Sequence, residues 1–120
     1  LENFVRDWYD QPLFASLKRF PGKLKMLQQR RTHQNAEELA IALRTFSVGK
    51  QPSHWAALSS LRMPVMLISG ALDQKYGEIN RRMSQLIPHA DWKIIADAGH
   101  NAHFEQPKAF VGAVERFLAQ

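Results

Sequence analysis

The sequence predicts an α/β fold in which a helical segment, residues 1–60, precedes a β-α-β-α unit, residues 61–120. Three observations carry this prediction. Apolar residues recur with a helical period through the first half, two short apolar runs follow in the second half, and an amphipathic helical pattern comes after each run. Two strands joined by a crossover helix form a parallel pair with a right-handed connection.

The first half contains signals for several helices in succession. Asn35, with Glu38 three residues later, resembles a capping box that begins a helix extending through Leu43. A further short helix is expected near residues 53–58. The apolar residues that share helical faces before this point are Phe4, Val5, Trp8, Tyr9, Leu24 and Leu27.

The second half begins with the run "MPVMLISG", residues 63–70, which is typical of a parallel strand buried on both faces. A helix that ends before Pro88 follows, and "DWKIIAD", residues 91–97, predicts the second strand. Pro107 is a favourable first residue for the last helix. The apolar faces of these two helices are predicted to consist of Ile79, Met83, Leu86 and Ile87, and of Phe110, Val111, Val114, Phe117 and Leu118.

Two parallel strands do not form a stable sheet by themselves, because their edges and faces remain uncovered. We therefore expect this unit to be one end of a larger sheet whose other strands lie in a missing N-terminal half, on the same polypeptide or a companion chain. An exposed strand edge also favours self-association.

Composition narrows the function classes. The chain has 120 residues, 45% of them hydrophobic, which is enough for a packed core. It has no cysteine, which excludes disulfides and thiolate metal sites and fits a reducing cytoplasm. No apolar run approaches the roughly 20 residues that span a bilayer, so no membrane association is expected.

The net charge of +5 arises entirely in the first half of the chain. Residues 1–62 hold 10 Lys and Arg against 5 Asp and Glu, whereas residues 63–120 hold 6 of each. Without a nucleic-acid-binding motif, this excess favours a solvated helix surface or an anionic small substrate over nucleic acid. The cations are dispersed among apolar residues and include Lys18, Arg19, Lys23, Lys25, Arg30 and Arg31.

Asp73 and His100 are the candidate catalytic residues, because each follows one of the two predicted strands. Functional side chains of open α/β sheets collect beyond the carboxyl ends of the strands. An Asp that accepts a hydrogen bond from one imidazole nitrogen leaves the other nitrogen free to act as a base. A turn or capping role for Asp73 and a surface role for His100 are the alternatives, and His103 is expected to pack or cap.

No serine of the chain lies in a G-x-S-x-G turn, the nucleophile elbow that precedes the acid and the base in α/β-hydrolases. The nucleophile that His100 would serve is therefore expected upstream of Leu1. The second half resembles the C-terminal end of an α/β-hydrolase, with the helical half in the place of the lid.

Several segments resemble a narrower family, the 2-succinyl-6-hydroxy-2,4-cyclohexadiene-1-carboxylate synthases of menaquinone biosynthesis. The similarity extends through nearly the whole chain in the family's order. The segments that carry it are "WYDQPLFASL" (8–17), "QRRTHQNAEELA" (29–40), "SVGKQPSHW" (47–55), "SGALDQKY" (69–76) and "AGHNAHFEQP" (98–107).

The resemblance implies a lyase that needs no metal or organic cofactor. Family members use a Ser-His-Asp triad to eliminate pyruvate from 2-succinyl-5-enolpyruvyl-6-hydroxy-3-cyclohexene-1-carboxylate. On the matched motifs, His100 is the base, Asp73 orients it, and Arg31 pairs with a substrate carboxylate. Lys75, Tyr76 and Trp8 are candidate substrate-binding residues, and Tyr9 and Trp55 are further aromatic residues that would line a pocket or pack in the core.

The chain alone is expected to be inactive, because the nucleophile and the oxyanion donors are absent from it. Two other interpretations remain open. Ranked after the synthase, the chain is the C-terminal half of another α/β-hydrolase, an esterase or a C-C hydrolase, or else a non-catalytic module that binds an acidic ligand or a protein partner.

Overall fold

The computed structural model describes residues 1–120 and contains six α-helices, two 3-10 helices and one sheet of two parallel strands. None of the helices is both long enough and apolar enough to cross a membrane. In chain order the elements are α1 (Glu2–Asp10), a 3-10 helix (Pro12–Arg19), α2 (Pro21–Thr32), α3 (Ala36–Thr45), a 3-10 helix (Trp55–Ser60), β1 (Val65–Gly70), α4 (Gln74–Leu86), β2 (Ala90–Ile95), α5 (Ala102–Glu105) and α6 (Pro107–Leu118).

The two strands pair in parallel, with Val65 opposite Ala90 and Gly70 opposite Ile95. Helix α4 crosses between them and contacts both strands. The second strand ends at Ile95, two residues earlier than the sequence predicts. Asp97 has a φ of 54°, in the left-handed region that extended strands do not occupy, so the chain leaves the sheet before this residue.

The helical half is held by one apolar cluster in which α1, the Pro12–Arg19 helix and α2 meet. Prolines stand at the start of that 3-10 helix and of α2, where their missing N–H costs no hydrogen bond. Lys18 donates a hydrogen bond to Asp10, and its ammonium lowers the pKa of this carboxyl from its ordinary value. The buried members of the cluster are Val5, Tyr9, Phe14 and Leu17.

Helix α3 begins where the capping motif predicts, but only one of the two side-chain hydrogen bonding contributions of a capping box is present. The Asn35 side chain accepts hydrogen bonds from the backbone N–H groups of Glu37 and Glu38 at 2.9 and 3.2 Å. The Glu38 side chain makes no hydrogen bond back to Asn35, so the reciprocal contact of a capping box is missing.

The second apolar cluster lies between β2 and the two helices that follow it, and consists of Ile95, Ala98, Ala102 and Ala113. Only 14 of the 120 residues are buried, and Ile94 on β2 remains 55% exposed. Burial on both faces is the prediction for the first strand, and there only Ser69 and Gly70 are buried, while the residues from Val65 to Ile68 are partly exposed. Leu86, assigned to the apolar face of α4, and Val111 and Leu118, assigned to that of α6, are also exposed, so these three predictions are wrong.

Candidate active site

Asp73 lies between the end of β1 and the start of α4 and uses both carboxylate oxygens. Its Oδ1 accepts a hydrogen bond from the backbone N–H of Tyr76 at 3.1 Å, which caps α4. Its Oδ2 lies 2.7 Å from Nδ1 of His100. The Asp73 side chain is 4% exposed and that of His100 28%. The capping role and the contact with His100, weighed as alternatives in the sequence, therefore occur together.

The two strand-end loops approach closely enough to share hydrogen bonds. The backbone N–H of Leu72, on the β1 side, donates to the carbonyl of Ala98, on the β2 side, at 2.9 Å. Gly70 permits this approach, since a Cβ atom there would overlap the carbonyl oxygens of Ala98 and Gly99. The glycine at the end of β1 thus allows Asp73 to reach His100.

The imidazole of His100 is enclosed by two aromatic rings. The Tyr76 ring centroid lies 4.6 Å from it and the Phe14 centroid 5.8 Å, the latter in an edge contact. Because a carboxylate oxygen accepts hydrogen bonds, the Nδ1–H group of His100 is the donor in this contact and Oδ2 of Asp73 is the acceptor. No group of the chain hydrogen-bonds to Nε2. The arrangement can therefore take a proton at Nε2, which is the action of a general base.

Neither of the serines near this pair hydrogen-bonds to His100. Ser69 lines the same cavity of about 170 Å³, but its hydroxyl accepts a hydrogen bond from Trp92 Nε1 at 3.0 Å. Ser16 donates its hydroxyl proton to Glu105 at 2.9 Å. Within these residues, the base has no nucleophile.

Arg31 and Trp8 meet in a second cavity of about 140 Å³, which is lined otherwise by apolar side chains of α1 and α3. The Arg31 guanidinium forms no ion pair and has only a long 3.5 Å contact to Gln34 Oε1. Trp8 also packs against Phe14, with ring centroids 6.1 Å apart. This aromatic contact connects the second cavity to the surroundings of His100, although Arg31 does not line the His100 cavity itself.

Lys75 follows Asp73 on the rim and has no acidic partner. Its ammonium lies 5.7 Å from the centroid of the Tyr76 ring. It lines an open groove of about 420 Å³ together with Asp73 and the segment 11–13. Lys75 and Arg31 are thus two cations without acidic partners that line two different cavities.

Trp55 lies apart from the Asp73–His100 contact, whereas His103 lines the same cavity as His100. The Trp55 ring packs under the Arg82 guanidinium at 4.9 Å and lines neither the Arg31 cavity nor the His100 cavity. The His103 ring packs edge-on against Phe110 at 5.9 Å, in keeping with the packing role expected for it. No group of three or more His, Asp or Glu side chains is arranged to hold a metal ion.

Phe14 and Glu105 are the residues at this site that sequence reasoning missed. Both lie in the segments that carry the family resemblance, but an apolar residue in a helix and a glutamate before a glutamine carry no signal of their own. Only their contacts, with the His100 ring and with the Gly99 backbone, reveal them.

No protein-family model matches the chain. Among curated proteins, a Bacillus subtilis (strain 168) protein provisionally named 2-succinyl-6-hydroxy-2,4-cyclohexadiene-1-carboxylate synthase is 35% identical over 119 residues, covering 98% of this chain and 43% of the relative. The synthase of that name from Salmonella newport (strain SL254) is 35% identical over 118 residues, covering 98% of this chain and 44% of the relative. The chloroplastic protein PHYLLO of Arabidopsis thaliana is 30% identical over 125 residues, covering 98% of this chain and 7% of the relative.

Among solved structures, MenH from S. aureus superposes with a TM-score of 0.94 at 33% identity, covering 98% of this chain and 45% of that chain. The chain therefore has the fold of the C-terminal part of an α/β-hydrolase, with its helical lid segment, as the sequence predicts. The resemblance to the synthases is likewise confirmed over nearly all of its residues. The chain spans less than half the length of the two synthases it matches.

Proposed function

We propose that this chain, a homologue of the C-terminal part of 2-succinyl-6-hydroxy-2,4-cyclohexadiene-1-carboxylate synthases, supplies the acid and the base of a Ser-His-Asp triad in a pyruvate-eliminating lyase. The serine would come from an N-terminal half that this chain lacks. The observation that carries the proposal is the 2.7 Å contact between Asp73 Oδ2 and His100 Nδ1, which leaves Nε2 without a partner.

The proposed reaction converts 2-succinyl-5-enolpyruvyl-6-hydroxy-3-cyclohexene-1-carboxylate to the product for which the relatives are named. A ring proton is removed, its C–H electron pair forms the new ring double bond as the ring C–O bond to the enolpyruvyl group breaks, and the departing enolate of pyruvate takes up a proton to give pyruvate. His100 Nε2 would activate the serine hydroxyl that begins this elimination. The buried Asp73 carboxylate would stabilise the imidazolium that results.

We assign substrate binding to the unpaired cations and the aromatic side chains beside them. Arg31 offers a bidentate fork for a carboxylate, and its position at the edge of an apolar cavity with Trp8 strengthens such a contact. Lys75 and Tyr76 would contact the substrate from the α4 side of His100. The substrate carries several carboxylates, which suits two separated cations.

The N-terminal half is proposed to complete both the sheet and the site. It would pair with an edge of the two-stranded sheet and bring the nucleophile and the oxyanion donors to Nε2 of His100. The segment 1–60 then acts as the lid over the core segment 61–120. We also propose that the protein acts in the cytoplasm, which the cysteine-free composition favours.

The test is to join the upstream half of the S. aureus MenH protein to this chain and to measure pyruvate release from the substrate named above. We expect turnover in the joined protein, none in the chain alone, and near-complete loss in the joined His100→Ala variant. The matched control is His89→Ala, since this exposed histidine precedes β2 at the opposite end of the sheet.

The same assay separates the alternatives. Hydrolysis of simple esters without pyruvate release would assign the chain to another α/β-hydrolase activity. Pyruvate release that survives His100→Ala would contradict the triad and favour a module that only binds.

Arg31→Lys should raise KM for the substrate more than it lowers kcat, because an ammonium keeps the charge but loses the bidentate fork.

A further inference from the structure

Glu105 is a buried carboxylate that the proposed reaction does not use. The residue is 2% exposed and stands at the end of α5. Its Oε1 accepts a hydrogen bond from the Ser16 hydroxyl at 2.9 Å, and its Oε2 accepts one from the backbone N–H of Gly99 at 3.0 Å. It forms no ion pair. Because burying a polar group is costly unless it is hydrogen-bonded, the two partners of this carboxyl group are the place to look for its role.

The two hydrogen bonds of Glu105 connect the lid segment to the backbone beside the base. Gly99 immediately precedes His100, so the bond to its N–H restrains the peptide from which the imidazole extends. Ser16 belongs to the Pro12–Arg19 helix, which also places Phe14 against the His100 ring. One buried carboxylate thus joins the helix that contacts the imidazole to the loop that carries it.

A lysine of the lid strengthens this connection from the other side. The Lys23 ammonium donates hydrogen bonds to the carbonyl oxygens of Phe104 and Glu105 at 2.8 and 3.1 Å. These carbonyls end the short helix α5, where a cation is favourable. Helix α5 is therefore fixed against the lid at both the side chain and the backbone of Glu105.

We propose that Glu105 is a positioning residue that holds the Gly99–His100 backbone so that Nδ1 of His100 meets Asp73. This role requires a side chain long enough to hydrogen-bond to both the Gly99 N–H group and the Ser16 hydroxyl group at the same time. Its effect on turnover rests on the proposed function above, whereas its effect on the imidazole does not.

Three substitutions separate reach, charge and bulk. Glu105→Gln keeps the reach and an acceptor for the Gly99 N–H, and its amide can donate to the Ser16 hydroxyl oxygen. Glu105→Asp keeps the charge but is one methylene too short to bond both partners. Glu105→Leu keeps similar bulk and removes the acceptors. The matched control is Glu115→Gln, because Glu115 is an exposed glutamate on α6.

The first readout is the ¹⁵N NMR spectrum of the imidazole nitrogens in the chain itself. We expect His100 to keep its Nδ1-protonated tautomer in the Gln variant and to shift toward a tautomer mixture in the Asp and Leu variants. The second readout is kinetics in the protein joined to its upstream half. There the Asp and Leu variants should lower kcat on the order of 10²-fold, the cost of a small misplacement, with little change in KM.

Three results would overturn the proposal. The first is an Asp variant with unchanged His100 spectra and kcat, and the second is a Gln variant as defective as the Leu variant in both readouts. A lower melting temperature with unaltered His100 spectra would likewise reduce Glu105 to a purely structural residue. If the Glu105→Leu variant does not fold, the comparison of the Gln and Asp variants in both readouts tests the proposal. If the unsubstituted joined protein releases no pyruvate, the proposed function is contradicted, whereas the NMR spectra still decide whether Glu105 positions the His100 imidazole.

Discussion

Asp73 meets a structural and a chemical demand with one side chain. One oxygen caps α4 through the Tyr76 N–H and the other bonds Nδ1 of His100. A carboxylate with both oxygens engaged is fixed in orientation, so the imidazole is fixed as well. The capping role does not compete with the proposed catalytic role, because it supplies the rigidity that the contact with His100 requires.

Asp73→Asn should separate these two roles. Asn is as good a helix cap as Asp, so we expect little change in melting temperature. Its amide cannot favour the required imidazole tautomer, and in serine hydrolases the equivalent change lowers kcat by roughly 10⁴-fold. Pyruvate release by the joined protein measures the effect, with the exposed Asp7→Asn as control. Turnover retained in Asp73→Asn would exclude Asp73 from the triad.

At the scale of elements, the site depends on two strand-end loops that touch. The N–H of Ala71 bonds the carbonyl of Ile95, and that of Leu72 bonds the carbonyl of Ala98, both at 2.9 Å. The contact is possible because Gly70 has no side chain where the β2 loop passes. A parallel pair thereby brings a carboxylate and an imidazole together from neighbouring loops, as open α/β sheets do at their strand ends.

Gly70→Ala should destabilise the chain, because the new methyl group would meet backbone carbonyl oxygens, which cannot move aside as a side chain can. We expect a loss of about 1–3 kcal/mol in the free energy of unfolding, measured by urea denaturation. The matched control is Gly77→Ala in α4, where a Cβ meets nothing within 4 Å. Alanine there should stabilise the helix by up to about 1 kcal/mol. Equal stability of the two variants would contradict this account of the loop contact.

At the scale of the whole molecule, the chain leaves much apolar surface uncovered. The helical half exposes Phe46 at 74% and Val48 at 82%, and the core half exposes Ile94 at 55% and Leu118 at 77%. Surfaces of this kind mark interaction sites in soluble proteins. The missing N-terminal half is the partner that we propose for the part around the sheet.

The chain by itself should therefore bind a hydrophobic dye such as ANS and self-associate with rising concentration. Joining the upstream half should reduce dye fluorescence per mole and raise the melting temperature. Fluorescence titration and analytical ultracentrifugation check both expectations. A chain that is monomeric and free of dye binding when alone would show that its apolar surface needs no cover.

The sequence by itself determined the order of the elements, the parallel crossover, the Asn35 cap and the meeting of Asp73 with His100. The order of the elements and the Asn35 cap follow from periodicity and local hydrogen bonding, whereas the meeting of Asp73 with His100 follows from the general rule for the ends of parallel strands. The tertiary structure alone decided the rest. Ser16 and Glu105 meet across 89 residues, and Phe14 reaches His100 across a similar span. Such contacts depend on how separate elements pack, which no local pattern encodes.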